Sequence, residues 1–222
     1  MSESSSPRTV TIELEVPKPK PLHLDPGKTA LVVIDMQNDF CKMEGLMSMT
    51  PRRRAVVKPI QALLARCRRA AMPVIYLQSI RDPHSPEFTV FGLQPFLLRG
   101  SWGAQIAEEL VPLPGEAIVE KNSHDCFNNT RMEAVLGEKQ IGPEWNVVVV
   151  GLGLTNCVGC AVAGFSVRHY RNVVLPMDCT ASRTMEEELC QYQRYMQIGY
   201  SYNVTLTVSQ MLTIGTEALV CT

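Results

Sequence analysis

Three residues of this chain combine types and positions that suit acyl transfer. Asp35 and Lys121 each lie at the end of a predicted strand, and Cys157 lies just beyond another. A thiolate attacks carbonyl carbon, a carboxylate accepts the thiol proton and returns it to a leaving amine, and an ammonium group holds the carboxylate and orients the substrate. Backbone amides in the turn before Cys157 would stabilise an oxyanion. The predicted reaction is acyl transfer through a thioester, followed by hydrolysis.

Cys157 is expected at a junction between a strand and a helix. It follows the run Val147–Val150 and a turn that contains Gly151 and Gly153, and glycine permits sharp turns. Small residues at 159–164 predict a helix that packs closely on a sheet. A thiol at a helix N-terminus ionises more easily because of the helix dipole. This position is typical of a catalytic cysteine.

Two other interpretations of the same stretch remain open. Cys157 and Cys160 form a C-x-x-C pair, which is typical of redox and metal sites, although Cys160 lies one turn further into an apolar helix. Gly151 and Gly153 after a strand resemble the start of a dinucleotide-binding motif, but Asn156 stands where the third glycine belongs.

Strands and helices alternate along the chain. Strands are predicted at 29–36, 73–77, 117–121, 146–150, 172–176 and 203–207. Helices are predicted at 52–71, 103–110, 129–138, 157–170 and 184–198. This alternation predicts a doubly wound α/β fold, with a mostly parallel six-stranded sheet and helices on both faces. Since ligands bind at the carboxyl ends of such strands, the three reactive residues are expected to converge there.

The N-terminal residues are predicted to form an arm outside the main domain. Residues 1–24 are polar and then proline-rich, and a single hydrolase domain is predicted for 25–222. Between 10 and 16, apolar and polar residues alternate as in a strand, which would pair with the main body or with a neighbouring subunit.

Composition restricts the function classes. The chain has 222 residues, of which 45% are hydrophobic, and a net charge of −1, which gives no electrostatic case for nucleic acid or an anionic membrane as a partner. No apolar run approaches the roughly 18 residues that span a bilayer. The N-terminus lacks a secretory signal, and several cysteines lie in apolar segments, where reduced thiols are common. These features predict a cytoplasmic protein, and the small-molecule substrate is predicted from the chemistry of the three reactive residues.

Three motifs point to one family. They are Ala30–Phe40 (ALVVIDMQNDF), Glu120–Thr130 (EKNSHDCFNNT) and Gly151–Val158 (GLGLTNCV). Together they resemble the isochorismatase-like cysteine hydrolase superfamily, which includes nicotinamidases and N-carbamoylsarcosine, ureidoacrylate and biuret amidohydrolases. The resemblance covers residues 25–210. Leu154 departs from the pattern, because many members have threonine there.

The resemblance implies a specific site. Asp35, Lys121 and Cys157 would form a catalytic triad, and the amides of Gly153 and Cys157 would bind the oxyanion. A non-proline cis peptide would join Leu152 to Gly153. The resemblance implies no metal and no organic cofactor, and it implies a homodimer or homotetramer.

The same resemblance narrows the reaction. Isochorismatases proper cleave a vinyl ether and can lack the cysteine, so Cys157 favours hydrolysis of a C–N bond in a small amide, ureide or carbamoyl compound. Asp82 and His84 match only the start of the nicotinamidase metal site, which disfavours that activity. Two alternatives remain: a vinyl ether hydrolase, and a non-hydrolytic redox or interaction protein that uses Cys157 and Cys160.

Substrate-binding residues are predicted in two places. Some lie beside the triad, and others lie in or beside the long loop at 81–102, since loops of that length are usually functional. Aromatic residues of that loop would either shape the pocket or anchor the loop. The candidates are Gln37, Phe40, His84, Trp102 and Phe127.

Overall fold

The computed structural model describes residues 11, 13–47, 50–197 and 203–218. Its strands are β1 (Leu22–Leu24), β2 (Thr29–Ile34), β3 (Val74–Ser79), β4 (Ala117–Lys121), β5 (Asn146–Leu152), β6 (Asn172–Pro176), β7 (Thr180–Ala181), β8 (Val204–Thr207) and β9 (Leu212–Ile214). Its helices are α1 (Asn38–Cys41), α2 (Pro51–Ala55), α3 (Val57–Arg69), α4 (Pro86–Thr89), α5 (Met132–Glu138), α6 (Cys157–Val167) and α7 (Met185–Met196). Among the described residues, no helix has the length and apolar character needed to cross a membrane.

The main sheet is parallel and has the predicted strands. Its order is β4-β3-β2-β5-β6-β8, and the short strand β7 adds a seventh member by pairing with the end of β5. The predicted doubly wound α/β class is confirmed, with β7 as an addition to the predicted six strands. In a separate pair, β1 lies parallel to β9.

Both faces of the sheet are buried, and the sequence of β5 supplies apolar side chains to each of them. Val147 and Val149 pack into the apolar cluster that contains residues of α5, α6 and α7. Val148 and Val150 point to the opposite face and join the cluster that contains residues of α3. Successive side chains of a strand alternate between faces, so a strand covered on both sides is apolar throughout. The unbroken valine run is therefore a property of a central strand.

The centre of the sheet is also the point where the winding reverses. From β2 the chain proceeds outward to β3 and β4, whereas from β5 it proceeds in the other direction to β6 and β8. Such a reversal leaves a crevice at the carboxyl ends of the two central strands. Asp35 directly follows β2, and Cys157 follows β5 after a short turn. The topology thus brings both residues to one crevice.

The helix predicted at 52–71 is two helices in the structure. It breaks between Ala55, which ends α2, and Val57, which begins α3. The cause is Pro59, which has no backbone N–H and whose ring clashes with the carbonyl four residues earlier, that of Ala55.

The prediction of a helix at 103–110 is wrong. The segment contains only one 3₁₀ turn, at Glu108–Leu110. The backbone of this segment is bonded to the segment after β2 instead. The carbonyl of Gly103 accepts from the amide of Asp39 at 3.0 Å, and the amide of Ala107 donates to the carbonyl of Met36 at 2.9 Å. These tertiary hydrogen bonds replace the helical ones.

The arm lies partly outside the described residues. Val10 and Ile12, which begin the predicted strand pattern, are not among them, and residues 13–16 form no strand. Further along, the amide of Lys20 donates to the carbonyl of Leu206 in β8 at 3.0 Å. This part of the N-terminal segment therefore contacts the body of its own chain, and the boundary between arm and domain stays a prediction.

Gly151→Ala is expected to lower the free energy of unfolding by at least about 3 kcal/mol, because the site has neither the space nor the backbone conformation for a side chain. Gly151 has a φ of +124°, and an added Cβ would lie 2.1 Å from the carbonyl oxygen of Ile34. Urea denaturation followed by circular dichroism measures the change.

Gly137→Ala is the matched control. Gly137 lies in α5, and an added Cβ would have no atom within 4 Å. Alanine there should raise the free energy of unfolding by about 0.5–1 kcal/mol through helix propensity. Equal effects of the two substitutions would contradict the close approach of β2 and β5.

Candidate active site

The three residues singled out by type and spacing lie together in the structure. Lys121 Nζ lies 2.9 Å from Asp35 Oδ2 and 3.3 Å from Cys157 Sγ. Asp35 and Lys121 are buried, and Cys157 is partly exposed. The ammonium group therefore bridges the carboxylate and the thiol, as expected from their positions at three strand ends.

Ser79 completes this cluster and was not predicted from the sequence. Its Oγ donates to Asp35 Oδ1 at 2.9 Å and accepts from Lys121 Nζ at 2.7 Å. Ser79 ends β3, which lies between β2 and β4, and it is paired in register with Lys121. The only sequence signal was that a polar residue ends the intervening strand. Its hydroxyl fixes the relative positions of the carboxylate and the ammonium group.

Asp35 adopts a backbone conformation that non-glycine residues seldom adopt. Its φ is +54°, in the left-handed region, while its amide donates to the carbonyl of Leu77 at 3.0 Å. Aspartate is among the side chains that tolerate this region best. Backbone strain of this kind clusters at functional sites, so the conformation marks Asp35 independently of its side-chain contacts.

The electrostatics of the cluster keep the lysine charged and the thiol protonated. Burial lowers the pKa of Lys121, but the negative charge of Asp35 and the hydrogen bonds to Asp35 and Cys157 raise it overall. Burial, and then the charge of Asp35, raise the pKa of Cys157 well above its usual value, against the opposing effect of Lys121. The sequence predicted easier ionisation at the helix N-terminus, and that expectation is wrong for the resting state because desolvation outweighs the helix dipole. The thiol needs a base.

The nucleophile turn differs from the predicted one. Within the described residues every peptide bond is trans, including that between Leu152 and Gly153, so the predicted cis peptide is absent. The amide of Gly153, which has a φ of +78°, donates to the carbonyl of Ala181 in β7 at 2.9 Å. Gly153 is therefore not free to bind an oxyanion, contrary to the prediction. The amide of Cys157 donates to no acceptor among the described residues. Of the two predicted oxyanion donors, it is therefore the one that is available.

Leu154 and Thr155 fix the turn in place. Leu154 is fully buried in the apolar cluster beneath α6, which accounts for an apolar residue at this position. The amide of Thr155 lies 3.2 Å from Ser182 Oγ, and the amide of Ser182 donates to the buried Glu188 at 2.9 Å. Arg52 forms an ion pair with that carboxylate. The turn is thus anchored to residues that follow β7.

His124 is a second neighbour of the sulfur that the sequence did not single out. Its Nδ1 lies 3.2 Å from Cys157 Sγ, and the side chain is exposed. Burial of part of the ring, followed by the positive charges of Lys121 and Arg81, lowers the pKa of His124. The sulfur therefore contacts a buried ammonium group and an exposed imidazole.

Gln37 braces the site and has no polar atom left for substrate, contrary to the prediction. Its Nε2 donates to the carbonyls of Ser79 and Ala104, both at 2.8 Å, and its Oε1 accepts from the amide of Ser79 at 2.8 Å. The side chain is fully buried. Gln37 therefore ties the end of β3 to the segment around Ala104.

Phe127 has a packing role, and its predicted contact with substrate stays a prediction. Its ring meets that of Phe165 edge to face, with 5.2 Å between centroids. The guanidinium of Arg168 lies 3.7 Å from its ring centroid. These partners belong to α6 and its C-terminal end, so Phe127 fixes that helix.

The other predicted substrate-binding residues are Phe40, His84 and Trp102. Phe40 is partly buried, with the guanidinium of Arg53 5.7 Å from its ring centroid, and His84 is exposed in the long loop. Trp102 is half exposed and lines a separate cavity of about 800 Å³ that also includes Cys41. Their contact with substrate stays a prediction.

The described part of the chain bears on the metal and redox alternatives. Those ranges contain no group of three or more His, Cys, Asp or Glu side chains that could hold a metal ion. Cys157 and Cys160 are both free thiols. Cys160 lines a cavity of about 530 Å³ next to α6 and α7, and Cys157 is not among the lining residues of that cavity. The two thiols therefore differ in their surroundings.

The chain is similar to known proteins both in sequence and in fold. The chain matches the isochorismatase domain over residues 29–207. The ureidoacrylate amidohydrolase RutB of Pseudomonas syringae pv. syringae is 29% identical, over 69% of this chain and 71% of its own length. N-carbamoylsarcosine amidase from Thermoplasma acidophilum superposes with a TM-score of 0.69 at 27% identity, covering 82% of this chain and 96% of that one.

A more distant likeness shows the fold alone. Nicotinamidase PncA from Bacillus subtilis superposes with a TM-score of 0.67 at 22% identity, covering 76% of this chain and 94% of that one.

Proposed function

Because the chain belongs to the isochorismatase family of hydrolases, we propose that it is a cysteine-dependent amidohydrolase that cleaves a C–N bond of a small amide, ureide or carbamoyl compound. The observation that carries this proposal is the position of Lys121 Nζ, 2.9 Å from Asp35 Oδ2 and 3.3 Å from Cys157 Sγ. An ammonium group within reach of both a carboxylate and a thiol brings together the parts that acyl transfer requires.

In the first half-reaction, Asp35 accepts the proton of the Cys157 thiol, and the thiolate attacks the carbonyl carbon of the substrate. The ammonium group of Lys121 stabilises the developing thiolate, since opposite charges attract strongly where water is excluded. The amide of Cys157, at the N-terminus of α6, donates to the oxyanion. Asp35 returns the proton to the leaving nitrogen, the C–N bond breaks, and a thioester on Cys157 remains.

In the second half-reaction, water attacks the thioester carbon. The C–S bond breaks, the acid product leaves, and the Cys157 thiol is restored. Two half-reactions that share one nucleophile replace a single difficult hydrolysis. No step in this sequence requires a metal ion or an organic cofactor.

The relatives support the C–N substrate class. Ureidoacrylate amidohydrolase and N-carbamoylsarcosine amidase are both named for substrates in which a carbonyl carbon is bonded to nitrogen. Asp35 and Lys121 are buried and close to Cys157, so the chain has a nucleophile with a charged pair beside it. A vinyl ether hydrolase would have no need of that nucleophile, which makes ether cleavage the second candidate.

A screen of ammonia release tests the proposal. The purified protein should release ammonia from at least one member of a panel of ureidoacrylate, N-carbamoyl amino acids, simple ureides and nicotinamide, as measured with a coupled glutamate dehydrogenase assay. Isochorismate, followed by its absorbance, represents ether cleavage. Turnover of isochorismate together with no ammonia from any amide or ureide would overturn the proposal.

A further inference from the structure

His124 lies beside the sulfur on a constrained loop. The loop follows β4, and the carbonyl of Ser123 accepts from Lys121 Nζ at 3.2 Å. Ser123 Oγ donates to the carbonyl of Asp125 at 3.2 Å, and the carboxylate of Asp125 accepts from the amide of Phe127 at 2.9 Å. Hydrogen bonds on both sides of His124 thus hold its backbone, and its Nδ1 reaches within 3.2 Å of Cys157 Sγ.

The two candidate bases near the sulfur have different surroundings. Asp35 is 2% exposed, and its two oxygens already accept hydrogen bonds from Ser79 and Lys121. His124 is exposed, and its imidazole has no other hydrogen bond recorded within the described residues. The carboxylate of Asp35 is thus shielded from solvent, whereas the imidazole of His124 is accessible to water.

We propose that His124 is the general base of the second half-reaction, in which it activates the water that hydrolyses the thioester on Cys157. This inference rests on the proposed function, because it assigns a group to the second step of that reaction. When Cys157 is acylated, the sulfur carries no proton, and Nδ1 of a neutral imidazole is left as an acceptor close to the acyl carbon. A neutral imidazole suits this task, since it accepts a proton near neutral pH.

The proton and the bonds balance in this step. Water oxygen bonds to the acyl carbon while one water proton moves to Nδ1 of His124. The C–S bond then breaks, and the imidazolium gives that proton to the leaving sulfur, so that the Cys157 thiol is restored. The acid product departs with the remaining water hydrogen, and no oxidant or further reactant is needed.

The charges around His124 favour its neutral form at pH 7. Burial lowers the pKa of His124 most, the positive charges of Lys121 and Arg81 lower it further, and the negative charges of Asp35 and Glu87 oppose this shift. Because the pKa is lowered overall, the imidazole stays neutral at pH 7 and gains a proton only at a more acidic pH than an ordinary histidine does.

His124→Gln tests the proposal with p-nitrophenyl acetate as the acylating probe. Its leaving group needs no proton, so the acetyl group transfers to Cys157 without general acid catalysis. The enzyme is acetylated, freed of excess probe by rapid desalting, and the decay of the acetyl adduct is followed by intact-protein mass spectrometry. Cys157→Ala, treated in the same way, gives the background from other cysteines.

We expect the variant to acetylate at the rate of the unchanged enzyme and to lose the acetyl group at least about 100-fold more slowly, which is the usual contribution of a positioned general base. The decay rate of the unchanged enzyme should fall as the pH drops below the pKa of His124, and the variant should lack this dependence. His23→Gln, which replaces an exposed histidine of β1, should leave both rates unaltered.

Two results would separate failure of this inference from failure of the proposed function. If the adduct on Cys157 forms but decays equally fast in His124→Gln, or if acetylation slows in step with decay, His124 is not the base. If the unchanged enzyme forms no adduct on Cys157 above the Cys157→Ala background, the proposed nucleophile itself is rejected.

Discussion

Cys157→Ala should lower turnover of the C–N substrate by at least about 10⁴-fold, because the thioester cannot form without the sulfur. Removal of a nucleophile that acts together with its base typically leaves only the rate supplied by substrate binding and oxyanion stabilisation. The fold should be retained, since the side chain is partly exposed and alanine suits a helix. Steady-state ammonia release measures the loss, and the far-ultraviolet circular dichroism spectrum checks the fold.

Cys160→Ala is the matched control for this substitution. Cys160 lies on the same helix and is also a partly exposed free thiol, but it lines the separate cavity near α7. Its replacement should leave turnover within about twofold of the original, as is usual for substitutions away from a reacting group. A strong loss in both variants would instead favour a redox role for the pair, and full activity of Cys157→Ala would favour ether hydrolysis.

Asp35→Asn is expected to lower turnover by about 10³-fold, within the range for loss of a positioned general base. Asparagine retains the shape of the side chain and tolerates the φ of +54° at this position. It cannot accept the thiol proton, and it leaves the buried ammonium group of Lys121 without its counter-charge. A single-turnover measurement of adduct formation on Cys157 locates the loss in the first half-reaction.

This substitution also affects stability. Removing one partner of a buried ion pair typically costs about 3–5 kcal/mol, which most domains survive at 25 °C. Asp178→Asn serves as the control, because Asp178 is a partly buried carboxylate that accepts from the amide of Ser209 at 2.7 Å and has no recorded contact with the cluster. It should destabilise the protein yet leave turnover close to its original value. Normal turnover in Asp35→Asn would exclude Asp35 as the base.

The sequence was sufficient to predict the residues that reach the crevice through regular structure. Asp35, Lys121 and Cys157 end or follow predicted strands, and parallel strands place their carboxyl ends at one edge. This inference requires only the order of strands and their direction. It holds whatever the detailed register of the sheet.

Ser79 and His124 could not be predicted in the same way. Ser79 matters because β3 is inserted between β2 and β4 in the register that pairs Ser79 with Lys121. Nothing in the local sequence specifies that pairing. His124 lies in a polar loop, and an exposed loop histidine has the same local pattern whether or not it faces a thiol. Both depend on tertiary placement.

The hydrogen bonding of the nucleophile turn could not be predicted for a related reason. Its two glycines correctly indicated a sharp turn, but the use of the Gly153 amide depends on Ala181, which is 28 residues further along the chain. Strand β7 has only two residues, too few for an apolar or alternating pattern to indicate a strand. The hydrogen bond between this strand and Gly153 could therefore not be predicted from the sequence.

The hydrogen bonds from Lys121 join parts of the chain that are far apart in sequence. Asp35 is 86 residues from Lys121, and Cys157 is 36 residues from it on the other side. Contacts of such long range form late, because each closes a large loop before any compensating interaction exists. A partly folded chain in which β4 has not yet joined the sheet would hold a thiol and a carboxylate but no ammonium group between them. Recovery of catalytic activity during refolding would consequently report completion of the sheet, and should lag behind the recovery of helical circular dichroism.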